Sequence, residues 1–228
     1  MASTAWTPLK KAILEAAVKQ IARSGEASLR VDRIAATAGC SPALLYRHFE
    51  SREGLLEAAM VERLRREASP ITKGLLRAVR ESRDTTEFLA ADESISREVH
   101  GRDRARSRAL IAEVLSASRA RPGLRKAFVQ QQREVQCEIT DLVREGQSKG
   151  IFRSDISAEA IAEFVRAYTF GRVLVDVDPE SADRVEEWVR IVSLFVQSLR
   201  PRAGVASSSR RSSAATGRST RPAGRSKS

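Results

Sequence analysis

The run at residues 31–52, VDRIAATAGCSPALLYRHFESR, constrains this chain more than any other stretch. Val31, Ile34, Ala35 and Ala38 recur at helical spacing, so its first half predicts a short helix with one apolar side. Gly39 ends that helix, because glycine takes the left-handed backbone that a helix C-terminus favours. Cys40 sits in the turn. Ser41-Pro42 opens a second helix: the serine oxygen caps free amides, and proline is pre-set for the first helical position. The second helix, over residues 43–49, carries Leu45 and Phe49 on one side and Arg47 and His48 on the other. Two short helices about a three-residue turn with a glycine make a helix-turn-helix, whose second helix fits the major groove of duplex DNA.

The same residues carry a family resemblance. Ile34-Ala35, Ala38-Gly39-Cys40-Ser41, Leu45-Tyr46-Arg47-His48-Phe49 and Arg52-Glu53-Gly54-Leu55 are similar to the TetR-type helix-turn-helix, which runs Ile-Ala, Ala-Gly-Val-Ser, Leu-Tyr-x-His/Tyr-Phe and Lys-x-x-Leu. Gly25 precedes Ile34 by nine residues, as the family glycine does. The chain departs at three places. Cys40 replaces the usual valine, Arg52 the usual lysine, and Arg30 the Ser or Thr that usually opens the second helix.

From the residues themselves, the second motif helix offers Pro42, Ala43, Leu44, Tyr46, Arg47 and His48 to DNA. Small or apolar Ala43 and Leu44 suit a thymine methyl, and Arg47 suits a guanine or a phosphate. The resemblance implies phosphate contacts for Tyr46, His48 and Arg52. Such contacts position a protein without specifying sequence. With Arg30 and Ser41 these make the candidate DNA-binding set.

Composition agrees with an all-α chain. Over 228 residues there are only 7 prolines, apolar residues make up 42% and charged residues 30%, and Ala, Arg, Glu and Leu dominate. No stretch approaches the ~20 apolar residues of a membrane span. Two distant cysteines, Cys40 and Cys137, fit a reducing cytoplasm rather than a disulfide framework. The net charge is +11, but residues 201–228 hold seven basic residues and no acidic one. Subtracting those seven leaves +4 for the rest. The tail predicts a disordered basic segment, open to two readings: extra phosphate attraction or a solubilising tail.

Helix signals punctuate the chain throughout. Thr7-Pro8 opens a first helix to about Arg23, with Ile13, Ala16, Ala17 and Ile21 inward and Lys10, Lys11 and Lys19 solvated. Ser51 begins a fourth helix to about Ala68, with Leu55, Leu56, Ala59, Met60 and Leu64 as its stripe, and Ser69-Pro70 closes the head. Thr85 caps a helix to about His100; others follow from Asp103 to Ala120, Leu124 to Lys149, Ser157 to Val175 and Pro179 to Leu199. The basic run 97–108 reads as solvated and internally paired. The expected architecture is about nine helices: a DNA-binding head at 7–68 with its motif at 30–49, a helical effector-binding and dimerisation body at 69–200, and the tail.

The last two helices are apolar over more than one face, as expected of helices buried on two sides. Ile161, Phe164, Val165, Tyr168, Val185, Trp188, Val189, Val192, Phe195 and Val196 are the expected interface of a two-fold homodimer, a reading the resemblance strengthens over a central position in a monomer core. Few polar groups interrupt the apolar faces, so an apolar or amphipathic effector is expected among Phe88, Leu89, Ile111, Leu115, Phe128, Val135, Phe164 and Tyr168.

No Gly-rich phosphate loop, nucleophile elbow or His/carboxylate metal pattern occurs, so neither an enzyme nor a cofactor or metal is expected. The resemblance implies a cytoplasmic transcriptional regulator, a repressor whose dimer holds a palindromic operator until a small molecule releases it. A constitutive architectural DNA-binder without an effector is the alternative.

Overall fold

The computed structural model describes residues 7–201. The expected disordered tail falls outside them, apart from Pro201. Among the described residues the elements are α1 (Pro8–Ser24), α2 (Val31–Ala38), α3 (Pro42–Phe49), α4 (Arg52–Glu81), α5 (Thr85–His100), α6 (Ala105–Ser118), α7 (Pro122–Ser148), α8 (Ala158–Gly171), the single turn α9 (Pro179–Ala182) and α10 (Val185–Ser198). Short 3₁₀ turns at Glu26–Ser28, Arg102–Arg104 and Arg172–Leu174 complete the chain.

Helix starts are set by the expected chemistry. Thr7, Ser41, Ser51 and Ser157 each accept a backbone amide three residues on, at 3.2, 3.2, 2.9 and 3.3 Å. At α5 the cap is Asp84, whose Oδ1 accepts the amides of Thr86 and Glu87 at 2.8 and 2.9 Å. Thr85, the expected cap, is the first helical residue; its hydroxyl donates instead to the Ile151 carbonyl.

Two apolar cores share α4 and α7. The first gathers the inner faces of α1, α2, α3 and the first half of α4, and is closed by Leu110, Val114, Leu124 and Phe128 of α6 and α7. The second gathers Ala78 and Val79 of α4, Phe88 of α5, Ile139, Leu142 and Val143 of α7, Ile161 and Ala162 of α8, and Val192, Val196 and Leu199. This arrangement explains why α4 does not stop near residue 68. Ser69-Pro70 resembles a helix start, yet Pro70 lies inside a 30-residue helix. An internal proline removes a ladder bond and costs about 3 kcal/mol. One continuous rod meets that cost by burying Leu55, Leu56, Met60 and Leu64 in one core and Val79 in the other. The last expected helix is likewise corrected: the single turn α9 precedes α10, which starts at Val185.

Candidate nucleic-acid interface

Local chemistry fixes the head. Gly39 adopts φ 69° and ψ 34° at the end of α2, its amide reaches the Ala36 carbonyl at 3.2 Å, and Cys40 N reaches Ala35 O at 2.9 Å. Those two bonds turn the chain so that α3 crosses α2. Leu45 is fully buried and Phe49 nearly so, which anchors α3 by one side against the head core. The Lys10 ammonium, expected in solvent, lies 5.4 Å over the Phe49 ring and ties α1 to the same helix.

The opposite side of α3 is left open. Ser41, Pro42, Ala43, Tyr46 and Arg47 are exposed, and Leu44 and His48 are half-buried. Seven of the nine candidate DNA-binding residues therefore share one short helix and its cap, presenting small, phenolic and cationic groups together. Arg30 also lies exposed, at the start of α2, where it provides no side-chain cap; its guanidinium donates to the Ala27 carbonyl at 3.2 Å.

Arg52 departs from its expected role. Its Nε donates to Leu29 O at 3.2 Å and its Nη2 to Glu26 O at 3.3 Å. The guanidinium is half-buried and fastens the start of α4 to the loop before α2, so it braces the motif from behind.

The body departs further. Of the residues expected to line the effector site, Phe88 is buried edge-on against Phe152 at 4.9 Å, and Phe128 belongs to the head core. Leu115 and Phe164 stand in solvent, 43% and 52% exposed. Leu89, Val135 and Tyr168 pack on the second core, while Ile111 packs on the first. The eight are thus dispersed over two cores and the surface instead of one cavity. A cleft of about 510 Å³ opens elsewhere, beside Glu67, Glu98, Arg104 and Ser107, but these groups bond one another.

Of the expected interface residues, Ile161, Val189, Val192 and Val196 are at most 7% exposed and already fill the protomer's own core. They have no surface left for a second subunit. Phe164 is exposed, and Val165, Tyr168, Val185, Trp188 and Phe195 are half-buried. Ile191 and Leu194, which widen the α10 stripe, are 63% and 57% exposed.

The run 97–108 is not wholly solvated. Arg97 pairs with Glu93 and Glu186 on the surface, but Arg108 is 4% exposed and grips Asp176 through Nε and Nη2 at 2.6 and 2.8 Å. Beside it lies a polar group that sequence reasoning missed. Asp92, Ser96 and His100 follow one another at four-residue spacing on the buried face of α5. The period was readable; their burial was not, because charged Glu93, Arg97 and Glu98 alternate with them.

Comparisons with known proteins agree with the head's geometry. Residues 13–59 match the family model of bacterial regulatory proteins of the tetR family. An uncharacterised HTH-type transcriptional regulator of Mycobacterium tuberculosis is 26% identical over 189 residues, 83% of this chain and 88% of the relative. The HTH-type transcriptional regulator UidR of Escherichia coli is 24% identical over 178 residues, covering 78% and 85%. Among solved structures, Salmonella enterica GusR superposes with TM-score 0.57 at 24% identity, covering 86% of this chain and 97% of that one. A TetR transcription regulator from Haloarcula marismortui gives 0.58 at 19%, covering 85% and 99%. No helix among the described residues is long and apolar enough to cross a membrane. With its helix-turn-helix head on an all-α body, the chain belongs to the TetR family of DNA-binding transcriptional regulators.

Proposed function

We propose that this protein is a cytoplasmic repressor that binds a palindromic operator as a homodimer and is released by a small-molecule effector. Residues 7–68 serve as the DNA-binding head, and 69–200 as the body that dimerises and takes the effector. The observation that carries this reading is α3 itself: Leu45 and Phe49 anchor one side while Ala43, Tyr46 and Arg47 stand free on the other. A helix held from behind with a basic, small-residue face is what a major groove accepts. The exposed apolar residues Ile191 and Leu194 on α10 support the dimer, because a second copy would cover them. Release follows if the effector prefers a body conformation in which the two heads no longer match successive grooves.

The test is selection of bound sequences from a random duplex pool, using the full-length chain near physiological salt. Recovery of an inverted repeat is the expected result. Recovery of no preferred sequence, with binding that vanishes as salt rises, would sink the operator reading in favour of an architectural DNA-binder. Sedimentation at micromolar concentration should show a dimer, and Leu194→Glu a monomer.

A further inference from the structure

The polar stripe on α5 does not end in satisfied hydrogen bonds. Asp92, Ser96 and His100 are 6%, 5% and 1% exposed. Ser96 Oγ donates to Asp92 Oδ2 at 3.3 Å. Among the described residues, however, His100 Nδ1 is buried without a hydrogen-bond partner, and so is Nε1 of Trp188 on α10. A buried polar atom pays for desolvation and recovers it only through a partner, so orphaned ones ask for an explanation. Here two occur side by side: the His100 and Trp188 rings lie 5.8 Å apart.

A run of rings leads from solvent to this pair. Half-exposed Phe164 lies 4.8 Å from Phe195 and 5.7 Å from Tyr168, and Tyr168 lies 5.7 Å from His100. Past them, the Arg172 guanidinium sits 5.0 Å over the Trp188 ring. Charge near His100 is net positive: burial, then Arg108 and Arg172, hold its imidazole neutral with a pKa pushed down to about 4, against the smaller opposing pull of Asp176. Asp92, two turns back along the same face and felt by Tyr168, has its carboxyl raised to about 6 by burial, so an anion is opposed less as the pH falls below that value.

We propose that this is the polar end of the effector site and that it takes a planar aromatic carboxylate. The ring of the acid lies among Phe164, Tyr168 and Phe195, and its oxygens accept hydrogen bonds from Trp188 Nε1–H and from His100 in its Nδ1–H tautomer. Phe164 is the ring that moves aside on entry. This assignment rests on the effector-controlled reading above for its consequence, and it narrows the expected apolar or amphipathic effector to an amphipathic one, because the α5 face that meets α8 and α10 is polar at three successive turns.

The experiment is calorimetric titration of the full-length chain with 2-naphthoate and with 2-methylnaphthalene, which keeps the ring body and lacks the oxygens. Naphthoate should bind at least tenfold tighter. Trp188→Phe should weaken naphthoate tenfold or more while the melting temperature holds or rises, because an orphaned N–H is removed. His100→Phe provides a second, independent loss of binding. Equal affinity for both compounds, no naphthoate binding, or a Trp188→Phe variant that melts earlier and binds naphthoate unchanged would each overturn the site. Operator binding is measured separately without naphthoate. If the wild-type chain selects no duplex, the repressor reading fails and naphthoate binding still stands; if operator binding is intact and naphthoate binding absent, the site alone fails.

Discussion

Arg121 Nη1 lies 2.8 Å from Glu26 Oε2, joining the turn between α6 and α7 to the loop that precedes the helix-turn-helix. The same guanidinium reaches Glu53 Oε1 on the first turn of α4 at 3.0 Å. Two residues on, a Cβ at Gly123 would stand 2.3 Å from the Glu57 carboxylate, so the turn rests directly on α4. The Arg121 and Glu26 side chains are 31% and 23% exposed, between a surface pair and a buried one. Arg121→Gln should therefore cost about 1–2 kcal/mol in urea unfolding. A double-mutant cycle with Glu26→Gln should show a coupling of about 1 kcal/mol, and additive effects would contradict the contact. Operator affinity without effector should change less than threefold, since the α3 face is untouched.

The roles of Arg47 and Arg52 separate by measurement. Arg47 is exposed on α3, whereas Arg52 spends its donors on two backbone carbonyls behind it. Arg47→Ala should weaken operator binding and lower the slope of log affinity against log salt by about 1. Tyr46→Phe keeps the ring and loses only the hydroxyl, so it should weaken binding about tenfold through one phosphate bond. Arg52→Ala should leave the salt slope unchanged and cost about 1–2 kcal/mol of stability. A falling slope in Arg52→Ala would return that residue to the phosphate-contacting set.

What could be read from sequence follows the range of the interaction. Gly39, Ser41-Pro42, Thr7 and Ser51 act on the nearest backbone groups, so the head was legible residue by residue. The stripes of α1 and α4 were legible for the same reason. Pro70 misled because its local penalty is outweighed by burial at residues 55–64 and at Val79, a sum that no short window contains. Phe128 and Ile111 misled because helix periodicity marks an apolar face without saying which core it meets; both meet the head core from helices of the body. Val192 and Ile191 are adjacent and equally apolar, yet one is 4% and the other 63% exposed. Only the packing of α10 on α5 separates core from candidate interface.

The junction of α3 and α4 holds strain that a small residue would relieve. Glu50 has φ 62° and ψ −45°, and Ser51 N bonds Phe49 O across it at 2.6 Å, a three-residue turn rare for side-chain-bearing residues. Glu50→Gly should raise stability by about 1 kcal/mol, the relief exceeding the extra unfolded-state entropy of glycine. Gly54, four residues on, is the opposite case. A Cβ there would stand 2.3 Å from the Phe49 carbonyl oxygen, so Gly54→Ala must push α3 from α4. It should destabilise the head by about 2 kcal/mol or more and reduce operator binding with it. Unfolding curves of the two variants that shift in the same direction would contradict this account of the turn.

The α5 stripe also sets a pH signature. Burial raises the Asp92 carboxyl from 3.8 to about 6, partly opposed by the Ser96 hydroxyl. The folded state therefore holds this proton better than the unfolded state does, and Asp92 favours folding increasingly as pH falls from about 6 toward 3.8. His100 runs the other way: its pKa drops from 6.5 to about 4, chiefly by burial, so the unfolded state holds its proton better and the fold weakens as pH falls through that window. Each displacement is worth about 3 kcal/mol, and the two oppose each other from about pH 6 to 4 in the wild-type chain. Removing one should expose the other. Asp92→Asn should be more stable than wild type by about 2–3 kcal/mol at pH 8, where a buried charge has been deleted, and should lose that margin by pH 4.5. His100→Phe should instead gain on the wild type as the pH is lowered. Urea unfolding at pH 8 and 4.5 checks both, and variant curves that stay parallel to wild type would show that neither group is buried as the structure places it.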